Sequence, residues 1–167
     1  MNIKLKDWEF SDLEFLVKYA NNKNISNNLA DSFPTPYTAN DGMEFIQRVS
    51  NHNPRKIFAI VFDKVAVGSI GCFPDSDIHR KNAAIAYWVA EPYWGKGIAT
   101  ESIKLMVDYG FKAFDIDRIY AKPFGRNKAS HRALVKAGFK LEATIEKTIF
   151  KNGEYLDELI FGYRKKY

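Results

Sequence analysis

The stretch Trp94-Gly95-Lys96-Gly97-Ile98-Ala99-Thr100 is where residue types and spacing first suggest chemistry in this chain of 167 residues. It lies where the apolar run AAIAYWVA gives way to a helical pattern. The first N–H groups of a helix have no intrahelical acceptor, and the helix dipole adds positive potential there. Gly95 and Gly97 lack a Cβ, so their backbone can turn sharply and approach an anion closely, while Thr100 offers a hydroxyl and Lys96 a charge. The Walker pattern fails, because four residues do not separate a first glycine from the Gly-Lys-Ser/Thr end. The dinucleotide fingerprint fits Gly95 and Gly97 but finds Thr100 where its third glycine belongs, and the site follows a strand meander rather than an opening βαβ unit. A lone Gly-x-Gly is also compatible with a plain turn that binds nothing.

Other chemistry-bearing residues are sparse. Cys72 is the only cysteine, which excludes an intramolecular disulfide and a cysteine metal cluster, and its setting in VAVGSIGCF reads as a buried structural thiol. His52, His79 and His131 are too scattered to form a metal-ligand pair, so no metal site is expected. The net charge of +5 is spread along the chain, and the aromatics are interleaved with apolar rather than basic residues. That pattern argues against a nucleic-acid-binding module while leaving an affinity for phosphate groups. The amino terminus lacks an apolar signal core and no run approaches a membrane span, so a cytoplasmic protein without a membrane partner is expected.

The elements that must position the glycine loop read in order. IKLKDWEF alternates as a strand, and Ser11 with Glu14 predicts a capping box for a helix through Leu13, Leu16, Val17 and Ala20. A short helix is expected near Ile25 to Leu29, and Thr38 with Asp41 caps another bearing Met43, Ile46 and Val49. RKIFAIVF, VAVGSIGCF and AAIAYWVA read as three strands, the first two joined by a tight Asp63-Lys64 turn and the third, apolar on both faces, central. Ile98, Ser102, Leu105, Met106, Tyr109 and Ala113 mark one face of the next helix. DRIYAKPF is a strand, NKASHRALVKAGF a helix, and KNG the turn of a final hairpin. The fold class is α/β (α+β): a mixed, mostly antiparallel twisted sheet with flanking helices, formed by residues 1–167 as a single domain.

YWGKGIATES, followed after one helix and one strand by GRNKASHRALVKAGF, resembles the GNAT superfamily of N-acetyltransferases, and within it the branch of ribosomal-protein N-terminal acetyltransferases. FPTPYTANDGMEFI and the carboxy-terminal hairpin extend the resemblance over most of the chain. It implies a central β-α-β core that binds acetyl-coenzyme A. Trp94, Gly95, Lys96, Gly97, Ile98, Ala99 and Thr100 would wrap the pyrophosphate, and the pantetheine arm would enter a gap beside Trp88, Val89 and Ala90. Tyr87, Trp88 and Phe124 would line the arm's channel. Asn127 would hydrogen-bond the arm, and Ser130 would lie near the sulfur as candidate thiolate donor; Asn127 and Ser130 are thus the candidate catalytic residues. Arg132 and Lys136 match basic positions that point either at the cofactor or at solvent.

Three positions depart from the family pattern. Trp94 stands where Gln or Arg usually opens the loop, Ala84 where a glutamate base often lies, and Leu134 where a tyrosine acid is common. Glu142 and Glu146, on the following strand, are the remaining carboxylates considered for the acceptor side. Without a base, an acceptor of low pKa is favoured: a peptide or protein N-terminus, at about 8, over a lysine side chain, at about 10.4. Small-molecule amines such as polyamines or aminoglycosides are the alternative, as is a catalytically weak coenzyme A-binding protein. A monomer and a homodimer both fit the sequence.

Overall fold

The computed structural model describes residues 1–167. Seven strands form one sheet: β1 (Ile3–Lys6), β2 (Ile57–Phe62), β3 (Val65–Pro74), β4 (Asn82–Val89), β5 (Arg118–Ala121), β6 (Lys140–Lys151) and β7 (Glu154–Arg164). Their order is β1-β2-β3-β4-β5-β7-β6, and every pair is antiparallel except β4 and β5. The apolar run in β4 is therefore central, as its pattern requires. Asp63 and Lys64 (φ 48° and 68°), then Asn152 and Gly153 (52° and 78°), occupy the left-handed region that two-residue hairpin turns demand.

Five helices flank the sheet: α1 (Leu13–Ala20), α2 (Lys23–Ser26), α3 (Ala39–Val49), α4 (Ile98–Ala113) and α5 (Lys128–Lys136). α3 starts at the expected capping box, with Thr38 Oγ1 accepting from Asp41 N at 3.2 Å and Asp41 Oδ2 accepting from Thr38 N at 2.8 Å. The box before α1 is displaced from its expected place. Asp12 Oδ2 accepts from Glu9 N at 3.0 Å, because a short 3₁₀ turn over Phe10–Asp12 comes between strand and helix. Ser11 lies inside that turn and its hydroxyl contacts Glu9 instead.

Two apolar layers result. Ile85, Ile98, Met106, Ile119, Leu134 and Phe161 belong to the core shared by the sheet with α4 and α5. Trp8, Leu16, Ile46, Val49, Ala59 and Ala66 form a smaller core with α1 and α3. Burying each of the leucine, isoleucine, valine, methionine and phenylalanine side chains among these contributes about 1.5–3 kcal/mol. Cys72 lies wholly inside, where burial pushes its thiol up to about 12 and keeps it an inert core group. Two expected core residues face outward instead, Leu105 on α4 and Met43 on α3, while Ile103, Val107 and Gly110 take the buried face of α4. No helix is long and apolar enough to cross a membrane.

Candidate active site

The site begins where the sheet divides. β4 and β5 pair only at Asn82↔Arg118, Ala83↔Ile119 and Ala84↔Tyr120. Beyond that point the chain after β5 stays with β7: Leu159 N–H donates to the Pro123 carbonyl at 3.0 Å and Phe124 bridges Glu158. β4 stays with β3 as far as Val89, so a wedge opens inside the sheet. Ala90 N–H donates to the Val67 carbonyl at 2.7 Å. Hydrogen-bonding direction alternates along a strand, so Trp88 and Ala90 turn their backbone groups toward β3 while Tyr87 and Val89 turn theirs into the wedge.

The outer end of the wedge meets the glycine loop. Gly95 and Gly97 have φ of 75° and 78°, and Gly97 is the residue from which α4 starts, with no side chain capping that end. Trp94 N–H donates to the Glu91 carbonyl and Glu101 N–H to the Gly97 carbonyl. Between them, the six consecutive N–H groups of Gly95 through Thr100 have no acceptor anywhere in the protein. A Cβ on Gly95 would meet nothing within 4 Å, so the loop's concave side is open to a ligand. Six free donors at a helix N-terminus form a site suited to an anion such as a phosphate group.

Cradle and wedge are joined in one cavity of about 560 Å³. From the loop, Trp94, Gly95, Gly97, Ile98, Ala99 and Thr100 line it; from β4 come Trp88 and Val89, and from the start of α5 Asn127, Ser130 and Arg132. Three expected residues stand apart from the lining. Ala90 is buried with its N–H committed to β3, Phe124 is held in its bridge to Glu158, and Lys96 lays its ammonium 5.2 Å from the centre of the Tyr93 ring. Arg126, Lys128 and Lys136 join Arg132 to give the α5 wall a basic character suited to phosphate. The opposite wall is made by Asn24, Ile25, Asn28 and Leu29 of α2 and the turn after it, in the polar segment where a short helix is expected. α2 is fixed there by polar ties: Asn22 and Asn24 donate to Glu91 at 2.6 and 3.1 Å, and Arg126 donates to the Asn27 carbonyl at 2.5 Å.

At the inner end, Asn127 Oδ1 accepts from Ser130 N at 3.3 Å, capping α5. Ser130 Oγ makes no backbone bond of the kind a first-turn serine often makes; its one partner is the Tyr87 hydroxyl, at 2.6 Å. Burial pushes the Tyr87 phenol up to about 12, with the Ser130 bond pulling slightly the other way. Trp94, which replaces the usual polar residue, donates its indole N–H to the Val89 carbonyl at 2.7 Å. Leu134 is fully buried in the core, away from the cavity. Glu142 is bound to Arg118 through both Nε and Nη2 at 3.0 Å, and Glu146 is exposed on β6. Neither carboxylate lines the cavity.

An acetyltransferase (GNAT) domain profile matches residues 2–140, and the chain belongs to that family. It is 31% identical over 138 residues, 81% of this chain and 76% of the relative, to the SPbeta prophage-derived uncharacterized N-acetyltransferase YokL of Bacillus subtilis (strain 168). Over 156 residues, 92% of this chain and 81% of the relative, it is 26% identical to spermidine N(1)-acetyltransferase of Escherichia coli (strain K12). RimL, a ribosomal L7/L12 alpha-N-protein acetyltransferase solved with coenzyme A, superposes with a TM-score of 0.83 over 98% of this chain and 94% of its own. At 22% identity that likeness establishes the fold. The chain is thus an N-acetyltransferase of the GNAT family, with acetyl-coenzyme A as its cosubstrate.

Proposed function

We propose that the protein transfers acetyl directly from acetyl-coenzyme A to an α-amino group, such as the N-terminus of a peptide or protein. The cradle at Gly95–Thr100 would take the pyrophosphate, the backbone edge at Tyr87 and the Val89 N–H the pantetheine arm, and the basic face of α5 the remaining phosphate. Asn127 would add its amide donors beside the arm, and Ser130 a hydroxyl beside the sulfur. The amine attacks the thioester carbonyl without a covalent enzyme intermediate, so the protein must supply orientation and a neutral nucleophile.

One observation carries the choice of acceptor. Where β4 reaches the fork, its successive outward residues are Ala84 and Ala86, so no carboxylate stands on that strand to deprotonate an ammonium. At pH 7 about one α-amine in ten is already neutral, against about one lysine side chain in 2,500. Polyamines are the strongest competing class, because of the spermidine-acetylating relative. Against them stands the net charge of +5, which repels a polycation. The test is a panel at pH 7: peptides with free N-termini, Nα-blocked peptides carrying lysine, spermidine and an aminoglycoside, with thiol release measured for each. Faster turnover of free N-termini is expected. Lysine side chains or spermidine acetylated as fast, or no release with free N-termini, would overturn the α-amine reading.

A further inference from the structure

Tyr87 and Ser130 form an isolated pair of hydroxyls. They meet at 2.6 Å, neither has another side-chain or backbone partner, and both line the cavity. Two hydroxyls joined by one bond hold two protons, of which one lies between them and one is free. Either oxygen can donate across this contact, and because a phenol is the stronger acid the favoured arrangement has Tyr87 donating and Ser130 accepting. The free proton is then the serine's, on an oxygen made a better donor by the bond it accepts.

Their place in the fold says what that proton meets. The phosphate cradle is at the outer end of β4; Tyr87 lies inward, three residues from the last pairing with β5 at Ala84. A donor molecule held by its phosphates at the cradle and lying along β4 brings its far end, the thioester, toward this inner end. Resting on the acetyl-coenzyme A reading given above, we infer that Tyr87 is a positioning residue: it fixes the Ser130 hydroxyl so that its hydrogen points at the departing sulfur, which leaves as a hydrogen-bonded thiolate and is not protonated by the pair.

The step balances without proton transfer from the protein. The amine lone pair forms the C–N bond, the C–S bond breaks, and its electron pair leaves on sulfur. The surplus proton on nitrogen passes to water. Full transfer from the pair is uphill, because a thiol has a pKa of about 8.5 while a tyrosine begins at about 10 and this one is raised further by burial. Donation without transfer avoids creating a buried phenolate.

The test titrates the thiol of coenzyme A bound to wild type, Tyr87→Phe, Ser130→Ala and the double variant. Thiolate absorbance is read against the matching desulfo-coenzyme A complex. The bound thiol of wild type is expected below that of free coenzyme A, with Tyr87→Phe raising it by up to about one unit and slowing kcat roughly tenfold at unchanged KM for acetyl-coenzyme A. The double variant is expected to match Ser130→Ala, since Tyr87 acts through the serine. A thiol that titrates alike in wild type and Tyr87→Phe, or effects that simply add, would overturn the positioning role while leaving the donor site standing. Failure of folded wild type to bind coenzyme A would overturn the donor-site reading and this inference with it.

Discussion

The end of the cavity that we propose for the donor and the α2 end that we propose for the acceptor are built from different materials. At the donor end the groups are backbone: six free N–H groups from Gly95 to Thr100, the Tyr87 edge of β4 and the Val89 N–H, the Val89 carbonyl being taken by the Trp94 indole. Their positions follow from a helix start and a strand fork, both anchored by the larger core. At the acceptor end the wall is the four-residue helix α2, held by side chains: Asn22 and Asn24 on Glu91, Arg126 on the Asn27 carbonyl, and Lys151 on Asp31 at 2.9 Å. A site made of backbone tolerates exchange of most side chains around it. A wall made of side-chain ties can be rebuilt by a few substitutions, which lets one donor site serve different acceptors.

The sharpest way to break this contrast is Gly97→Glu. It forces a side chain onto a φ of 78° and sets a carboxylate among the cradle donors, so acetyl-coenzyme A affinity should fall by about a hundredfold or more in calorimetry. Unchanged affinity in a folded variant would mean that the cradle is a plain turn. Next in size, Leu134→Ala hollows the core beneath α5 and should lower stability by about 2–5 kcal/mol, read as a lower Tm. If Tm barely moves, the donor end is not anchored by that core. Lys151→Met removes one tie of the acceptor wall, from a lysine that is 9% exposed to an aspartate that is 83% exposed. A stability change under about 1 kcal/mol is expected, with a raised KM for the amine and an unchanged KM for acetyl-coenzyme A. Equal changes in both KM values would show that the two ends are not separable.

The smallest effect concerns pH. Burial, with help from Lys128 and Arg132, holds His131 below its ordinary pKa of 6.5, and the Phe124 carbonyl opposes this only in part. The unfolded chain therefore takes up a proton before the folded one does. The contribution is intact above pH 6.5 and is lost as pH falls from there toward the folded value. Tm should decline over that window in wild type and less so in His131→Gln; parallel declines would remove His131 as the cause.

The same division explains what could be read in advance. The glycine loop was legible because only certain residues take a positive φ before a helix, and β4 because a strand buried on both faces has to be apolar throughout. The hairpin turns at Asp63-Lys64 and Asn152-Gly153 were legible for similar local reasons. Expectation failed where long-range packing decides: the cap before α1 moved to Glu9 and Asp12, and Leu105 turned outward while Ile103 and Val107 turned in. Ala90 and Lys96 belong to the right segment but face β3 and Tyr93, because neighbouring residues on a strand or loop point opposite ways. Of the α2 wall only the short helix near Ile25 to Leu29 was legible; its asparagine ties were not, since they look like any polar loop until Glu91 and Arg126 are brought beside them. The Tyr87–Ser130 pair spans 43 residues, and no local pattern reports it.

The fork between β4 and β5 leaves the enzyme with a strand-shaped gap in its own sheet, which the proposed donor site would have acetyl-coenzyme A fill. Durability then becomes a gauge of supply: at a hundred times the dissociation constant, a ligand that binds only the folded state adds about 2.7 kcal/mol. Molecules in a cell rich in acetyl donor would resist heat and proteolysis, while those in a starved cell would be cleared first. The lifetime of the catalyst would thus follow the abundance of what it consumes.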